Sequence, residues 1–235
     1  NDSYRCYSSV NRIRLNYTGI KNLTLKPGMD FTWDWALADA YGGRKTRSTA
    51  SLFAEIGYAF GKKVSSSLVI RQDLVNGKLI PIVPALGIEY LPFKKINLSV
   101  TANLSRNCRY PTMNDLYWER YGNPDLKTET NYSAEAGIAF NSGKMIRDFF
   151  IEASVSGYYS RIYDMITWLP DTASSLYRPL NVPGVRARGI ELGINASWEI
   201  LRFNLGIVAS YNFCRSTYEK VNTANDSNKL GKQLL

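Results

Sequence analysis

From Ile96 to Ser105 the chain alternates without a fault: Ile96, Leu98, Val100, Ala102 and Leu104 fall on one side, Asn97, Ser99, Thr101, Asn103 and Ser105 on the other. A period of two belongs to an extended strand with one apolar and one polar face, whereas a helical period of 3.6 would scatter both sets around the axis. The pattern recurs. Leu52, Ala54, Ile56, Tyr58 and Phe60 oppose Glu55 and Gly57; Tyr132, Ala134, Ala136, Ile138 and Phe140 oppose Ser133, Glu135 and Gly137. Ile151, Ala153 and Val155 oppose Glu152, Ser154 and Ser156; Ile190, Leu192, Ile194, Ala196 and Trp198 oppose Glu191, Asn195, Ser197 and Glu199. With residues 12–17, 25–35, 64–71, 85–91 and 203–211, the count is about ten strands in about five hairpins.

The connections fall into two kinds. Thr18–Asn22, Gly61–Lys63, Pro92–Lys95, Asn141–Asp148 and Leu201–Arg202 read as short turns. Residues 36–48, 72–84, 106–129 and 169–184 are polar or rich in Gly and Pro and read as long loops, and Pro81 and Pro84 oppose a central strand between them. Short turns on one side and long loops on the other are the arrangement of an outer-membrane β-barrel. A soluble β-sandwich, with one buried and one wet face, alternates in the same way.

Two features favour the barrel. The apolar faces end, on the short-turn side, in Tyr17, Phe60, Tyr90, Phe140, Phe149, Trp198 and Phe203, as an interfacial aromatic girdle does. The apolar span Tyr132–Phe140 covers about 26 Å along a strand, or roughly 20 Å of height after a tilt of about 40°, close to the ~25 Å lipid-facing band of such barrels. No apolar run approaches 18 residues, so a transmembrane helix is not expected.

The chain of 235 residues has no histidine, which removes Ser-His-Asp and Cys-His catalysis and the commonest metal ligand together. Cys6, Cys108 and Cys214 are odd in number and far apart, and imply no disulfide framework. The isolated carboxylates Glu55, Glu89, Glu135, Glu152, Glu191 and Glu199 lie on the polar faces, and no spacing sets two of them across a cleft as a glycosidase requires. They read as a hydrated interior wall. The net charge of +9 is spread over turns and loops rather than clustered with stacking aromatics, so nucleic acid is not the expected partner, and a basic surface facing lipopolysaccharide phosphates accounts for the charge equally well. No enzyme, metal site or cofactor is expected.

The stretch from Arg106 to Tyr132, RNCRYPTMNDLYWERYGNPDLKTETNY, interrupts the strands with more turn formers than a simple connection needs. Arg109, Pro111, Asn114, Asp115, Leu116 and Tyr117 are followed by Gly122, Asn123, Pro124, Leu126, Lys127 and Glu129, and then by a strand with Glu135 and Gly137. In this order the motif resembles that of TonB-dependent outer-membrane receptors, and its Asn-Asp-Leu-Tyr-Trp form looks like the cobalamin- or siderophore-type members. The resemblance implies an all-β, antiparallel transmembrane barrel of 22 strands, of which residues 1–235 would form part of the barrel domain. The plug domain, and with it the contact to the TonB complex, would lie in an N-terminal region outside this chain. It further implies outer-membrane lipid, a scarce small-molecule nutrient and a surface lipoprotein as partners, in the Gram-negative outer membrane. A passive porin-like channel, a soluble β-sandwich binding module and a carboxylate-dependent β-enzyme are the competing readings.

Candidate ligand contacts are the aromatic and basic residues of the long loops: Tyr110, Tyr117, Trp118, Arg120 and Tyr121, then Trp168, Tyr177 and Arg178. Aromatic bodies with polar tips suit an amphipathic ligand, and arginine suits an anionic one. Each ring has an alternative role as an interfacial anchor. Gly122, Asn123 and Pro124 are expected to form a tight turn with positive φ, and Asp115 and Glu129 to brace nearby backbone amides.

Overall fold

The structure, a computed structural model, describes residues 4–143, 148–170, 176–221 and 229–233. Its strands are β1 (Tyr4–Arg14), β2 (Leu23–Ala38), β3 (Gly43–Phe60), β4 (Val64–Val75), β5 (Lys78–Leu79), β6 (Val83–Tyr90), β7 (Asn97–Arg109), β8 (Glu129–Asn141), β9 (Phe149–Pro170), β10 (Tyr177–Ile200) and β11 (Phe203–Lys220). All pair antiparallel with their neighbours in chain order, apart from the two-residue β5, which lies beside β4 while β4 pairs onward with β6. The sheet is not closed, and β1 and β11 form its two edges.

Register turns ten separate alternations into two continuous faces. Along one row Val100 stands opposite Ile138, Ile138 opposite Val155, Val155 opposite Leu192, and Leu192 opposite Tyr211. The next residues up and down these strands carry Thr101, Gly137, Ser156 and Glu191 on the opposite face. A slip of one residue between two of these strands would bring the other face, with Thr101, Ser156 or Glu191, into the apolar row, so the period of two fixes the pairing. On the polar face of β1–β4, Arg14 donates to both carboxylate oxygens of Asp30 at 2.7 and 3.1 Å, and Arg71 pairs with Asp73 at 2.8 Å.

The apolar face has a defined height. On β10 the run Ile190, Leu192, Ile194, Ala196, Trp198, Ile200 ends against Arg188, and on β11 the run from Phe203 to Phe213 ends against Arg215. Ten residue steps at ~3.3 Å and a tilt near ~40° give roughly 25 Å, the thickness of the lipid-facing band. At the short-turn end the rings of Phe149 and Trp198 meet edge to face, 6.0 Å apart, as the expected girdle requires.

Above that band the strands continue where the sequence reads as loop. Residues 36–48 contain only a short 3₁₀ turn, Asp39–Tyr41, before β3 begins at Gly43. The connection at 72–84 shrinks because β4 runs to Val75, and Pro84 lies inside β6 opposite Ile70. Tyr177 and Arg178 are the first residues of β10, not loop residues, and Asp171, Ser174 and Ser175 lie outside the described residues, as does part of the 141–148 turn. The strict alternation of short turns with long loops therefore fails on the long-loop side. Both faces of a strand that projects beyond lipid are wet, so alternation fades while hydrogen bonding to the neighbouring strand persists.

Candidate ligand-binding site

Among the described residues one long loop remains between strands, residues 110–128 between β7 and β8. It opens with the short helix α1 (Met113–Tyr117), which starts on a capping box. Thr112 Oγ1 accepts from the amide of Asp115 at 3.1 Å, and Asp115 Oδ2 accepts from the amide of Thr112 at 2.9 Å. Two amides with no partner inside the helix are satisfied reciprocally. Asp115 is 4% exposed and carries more than the cap. Its Oδ1 accepts from Trp168 Nε1 at 3.1 Å, its carbonyl accepts from the Asn123 amide at 2.7 Å, and Arg109 Nη2 lies 3.8 Å from Oδ2.

Arg109 also reaches Glu129, Nε to Oε2 at 3.7 Å, and donates to the carbonyl of Ile166 at 3.2 Å. Glu129 Oε2 accepts from the Ile166 amide at 2.9 Å. The motif residues Arg109, Asp115 and Glu129 thus fasten the loop to β9 by charge-assisted hydrogen bonds, and both carboxylates brace backbone amides. Asn123 and Lys127 extend the attachment to β10. Asn123 Nδ2 donates to Pro179 O at 3.1 Å, and the Lys127 amide donates to Asn181 Oδ1 at 2.8 Å.

The other flank of the loop rests on the β2–β3 tip. Ala36, Ala38 and Tyr41 form a small buried cluster against which Met113 and Tyr117 pack. Tyr41 donates its hydroxyl to Asn114 Oδ1, and desolvation of the buried phenol pushes its pKa up from the ordinary value. The amide of Glu119 donates to Ala40 O at 2.7 Å, and Arg47 Nη2 to the carbonyl of buried Pro111 at 2.8 Å. Because Ala36 and Ala38 share the polar face with Asp30, and Trp168 binds from β9, the loop lies across the polar side of the sheet at its upper end.

Gly122 has no positive φ, contrary to the expectation for this turn. It is needed for close approach instead: a Cβ there would stand 2.7 Å from the Trp118 nitrogen and 2.9 Å from the Leu116 carbonyl carbon. The hydrogen-bonded turn lies ahead of the expected stretch 122–124, over residues 118–122, where the amides of Tyr121 and Gly122 both donate to Trp118 O.

Of the eight candidate contacts, Trp118, Tyr121 and Trp168 come together. The ring of Trp118 meets Tyr121 edge-on at 5.3 Å and Trp168 at 5.8 Å, and Trp118 remains 40% exposed. Tyr117 is half-buried under Lys45, 5.3 Å away, and Tyr110 lies under Arg47 at 5.0 Å, so both rings hold the loop in place. Arg120 is exposed on the turn that follows α1. Arg178 and Tyr177 stand opposite Leu169 and Pro170, one and two positions along the ladder from the pair Trp168 and Pro179. The seat at Ala36, Ala38, Tyr41 and Arg47 has no short-range signal in the sequence, but the helix does, in Thr112-x-x-Asp115.

The family model described as "TonB dependent receptor-like, beta-barrel" matches residues 4–234. The vitamin B12 transporters BtuB of Vibrio vulnificus and Photobacterium profundum are 37% and 38% identical over 93 and 98 residues, about two fifths of this chain. Those segments are 14% and 15% of the two transporters. Among solved structures, the copper transporter OprC superposes with a TM-score of 0.73 at 17% identity, covering 92% of this chain and 38% of that one. The siderophore receptor PirA of Pseudomonas aeruginosa gives 0.68 at 14% identity, covering 92% and 48%. The chain therefore spans less than half the length of these relatives. With its unclosed antiparallel sheet, its lipid-height apolar face and the loop motif in place, the chain belongs to the TonB-dependent receptor β-barrel family.

Proposed function

We propose that residues 1–235 are part of the barrel domain of an outer-membrane receptor that takes up a scarce nutrient with energy supplied through TonB. A corrinoid is the favoured ligand class and a ferric siderophore the second. The observation that carries the reading is the loop 110–128: a buried carboxylate, Asp115, holds the Trp168 ring, and Trp118 meets both Trp168 and Tyr121, so that three rings form one group at the upper end of the polar face. Such a group offers flat apolar area with polar edges, which suits a large amphipathic ring system. The likeness to two vitamin B12 transporters favours the corrinoid. The TonB contact and the plug are assigned to parts of the protein outside this chain, and among the described residues none supports a surface lipoprotein partner. Nor does any carboxylate pair stand out for catalysis, and the reading is of a receptor, not an enzyme.

The test is titration of cyanocobalamin and of a ferric siderophore against the full-length receptor in detergent. Saturable corrinoid binding, and uptake that stops when TonB is deleted, are expected. Uptake that continues without TonB would favour a passive channel instead.

A further inference from the structure

Much of the chain's positive charge is gathered at the short-turn end of the sheet. The turns Thr18–Asn22, Gly61–Lys63, Pro92–Lys95 and Leu201–Arg202 contain Lys21, Lys62, Lys63, Lys94, Lys95 and Arg202 and no aspartate or glutamate, so they hold six of the net nine positive charges. Turn geometry favours Gly, Asn, Asp, Ser and Pro, and accounts neither for the lysines nor for the lack of acid. All six residues are exposed, and none of them forms an ion pair among the described residues. The neighbouring strand carboxylates Glu55, Glu89 and Glu199 stand on the polar face, and Asp148, which closes the fifth turn, is the single described carboxylate of the short turns. Three of the turns are fastened side by side. The Ala59 amide donates to Asn22 O at 2.9 Å, the Leu91 amide to Lys63 O at 2.7 Å, and Lys63 Nζ to Pro92 O at 3.0 Å. Neighbouring turns stand two strand spacings apart, about 10 Å, near the ~8 Å Debye length, so their charges act together on a facing surface. Beside each turn an exposed ring belongs to the apolar face: Tyr17 before Lys21, Phe60 before Lys62, Tyr90 before Lys94 and Phe203 after Arg202.

We infer that this basic rim binds anionic glycerophospholipids of the inner leaflet, whose phosphodiester headgroups carry a net negative charge. The height agrees, because the cations begin where the ~25 Å apolar band stops, at the end opposite the 110–128 loop. The rings sit at the interface, and the apolar lysine stems lie along that surface while the ammonium groups stay in the headgroup layer. Five of the six cations are lysines, compact point charges rather than planar forks, so the rim selects the net charge of a headgroup and not its shape. Phosphatidylglycerol is therefore held in preference to zwitterionic phosphatidylethanolamine. An acidic polymer of the periplasm fits less well, since it would use the charges and leave the rings without a role. The inference rests on the proposed outer-membrane placement, with the short turns on the periplasmic side.

The experiment is native mass spectrometry of the full-length receptor in detergent, with phosphatidylglycerol and phosphatidylethanolamine of identical acyl chains as probes. Phosphatidylglycerol should bind in preference, and the K21Q/K62Q/K94Q/K95Q variant should hold it at least tenfold more weakly, since each cation removed from beside an anionic lipid surface weakens the attraction about fivefold. Lys63 stays in place because its ammonium donates to the Pro92 carbonyl. The K21R/K62R/K94R/K95R variant should bind as the parent does, because it keeps the charge. The glutamine variant breaks no ion pair among the described residues and should fold, which heat-modifiable migration on a gel checks. Equal binding of the two lipids, unchanged binding by the glutamine variant, or loss of binding in the arginine variant would each overturn the inference. Lysine-dependent capture on isolated peptidoglycan, with phosphatidylglycerol held equally by parent and glutamine variant, would move the rim to the cell wall and overturn it as well. Corrinoid titration of the same samples separates the two proposals: lipid binding that depends on the lysines, in a receptor that binds no nutrient, leaves this rim standing and removes the functional reading.

Discussion

Trp168 Nε1 donates to Asp115 Oδ1 at 3.1 Å across 53 residues of sequence. One carboxylate thereby joins a helix cap in the 110–128 loop to an aromatic ring on β9, so the local fold of the loop and the placement of its rings depend on the same side chain. Asp115→Ala removes one half of a capping box and leaves the half-buried Trp168 indole N–H without its acceptor. The loop should lose about 1–3 kcal/mol of local stability while the barrel stays intact. Hydrogen exchange at the Asn123 amide, bonded to Asp115 O, reads this directly; unaltered protection would mean that the carboxylate does not hold the loop.

Gly122→Ala is expected to be as disruptive, for a steric reason. The added methyl would stand 2.7 Å from the Trp118 nitrogen, and the atoms in its way are backbone. A cost of about 1–3 kcal/mol, read as faster proteolysis of the loop, is typical of such overpacking. Pro124→Ala, at an exposed position, should cost less than about 1 kcal/mol. Equal sensitivity of the two variants would return the turn to a conformational explanation.

Much of this fold was legible because lipid imposes a stricter pattern than water does. Leu98, Ile138 and Ile194 could be assigned to one face from parity alone, and their register partners keep them there. Legibility stopped at the headgroup level. Gly43–Ser48 and Tyr177–Gly184 are strand without an apolar face, and only their hydrogen bonds to β2 and β9 identify them. The site was half legible. Arg109, Asp115 and Glu129 were marked by the motif, and their bracing of amides follows from residue type. The seat on Ala36, Ala38 and Tyr41 depends on how far the loop reaches across the sheet, which no local pattern records.

Faces make a sharp comparison in the membrane. Arginine in place of Leu98, Ile138 or Ile194 should destabilise the folded receptor by about 2–4 kcal/mol each, since the proposed outer-membrane placement puts these side chains within the lipid band. Ser99→Arg and Asn195→Arg, on the polar face, should cost much less. Urea titration in lipid vesicles measures both sets, and similar losses in the two would show that the faces are assigned the wrong way round.

The three rings allow binding to be separated from folding. Trp118 meets Tyr121 and Trp168 by ring edges, the side chains of Trp118 and Tyr121 accept none of the hydrogen bonds from β9 or β10 that fasten the loop, and Trp118 is 40% exposed. Truncating them removes apolar area without leaving a buried polar group unpaired. Trp118→Ala with Tyr121→Ala should therefore leave the yield of folded receptor close to normal and weaken corrinoid binding by tenfold or more, as removal of aromatic packing worth about 1–2 kcal/mol implies. Trp168→Phe makes the complementary change. It keeps most of the ring, gives up the bond to Asp115 Oδ1, and should loosen the loop more than it weakens ligand binding. Titration by isothermal calorimetry beside hydrogen exchange distinguishes these outcomes. Unchanged affinity in the Trp118, Tyr121 double variant would reduce both rings to anchors of the loop and move the ligand to another part of the polar face.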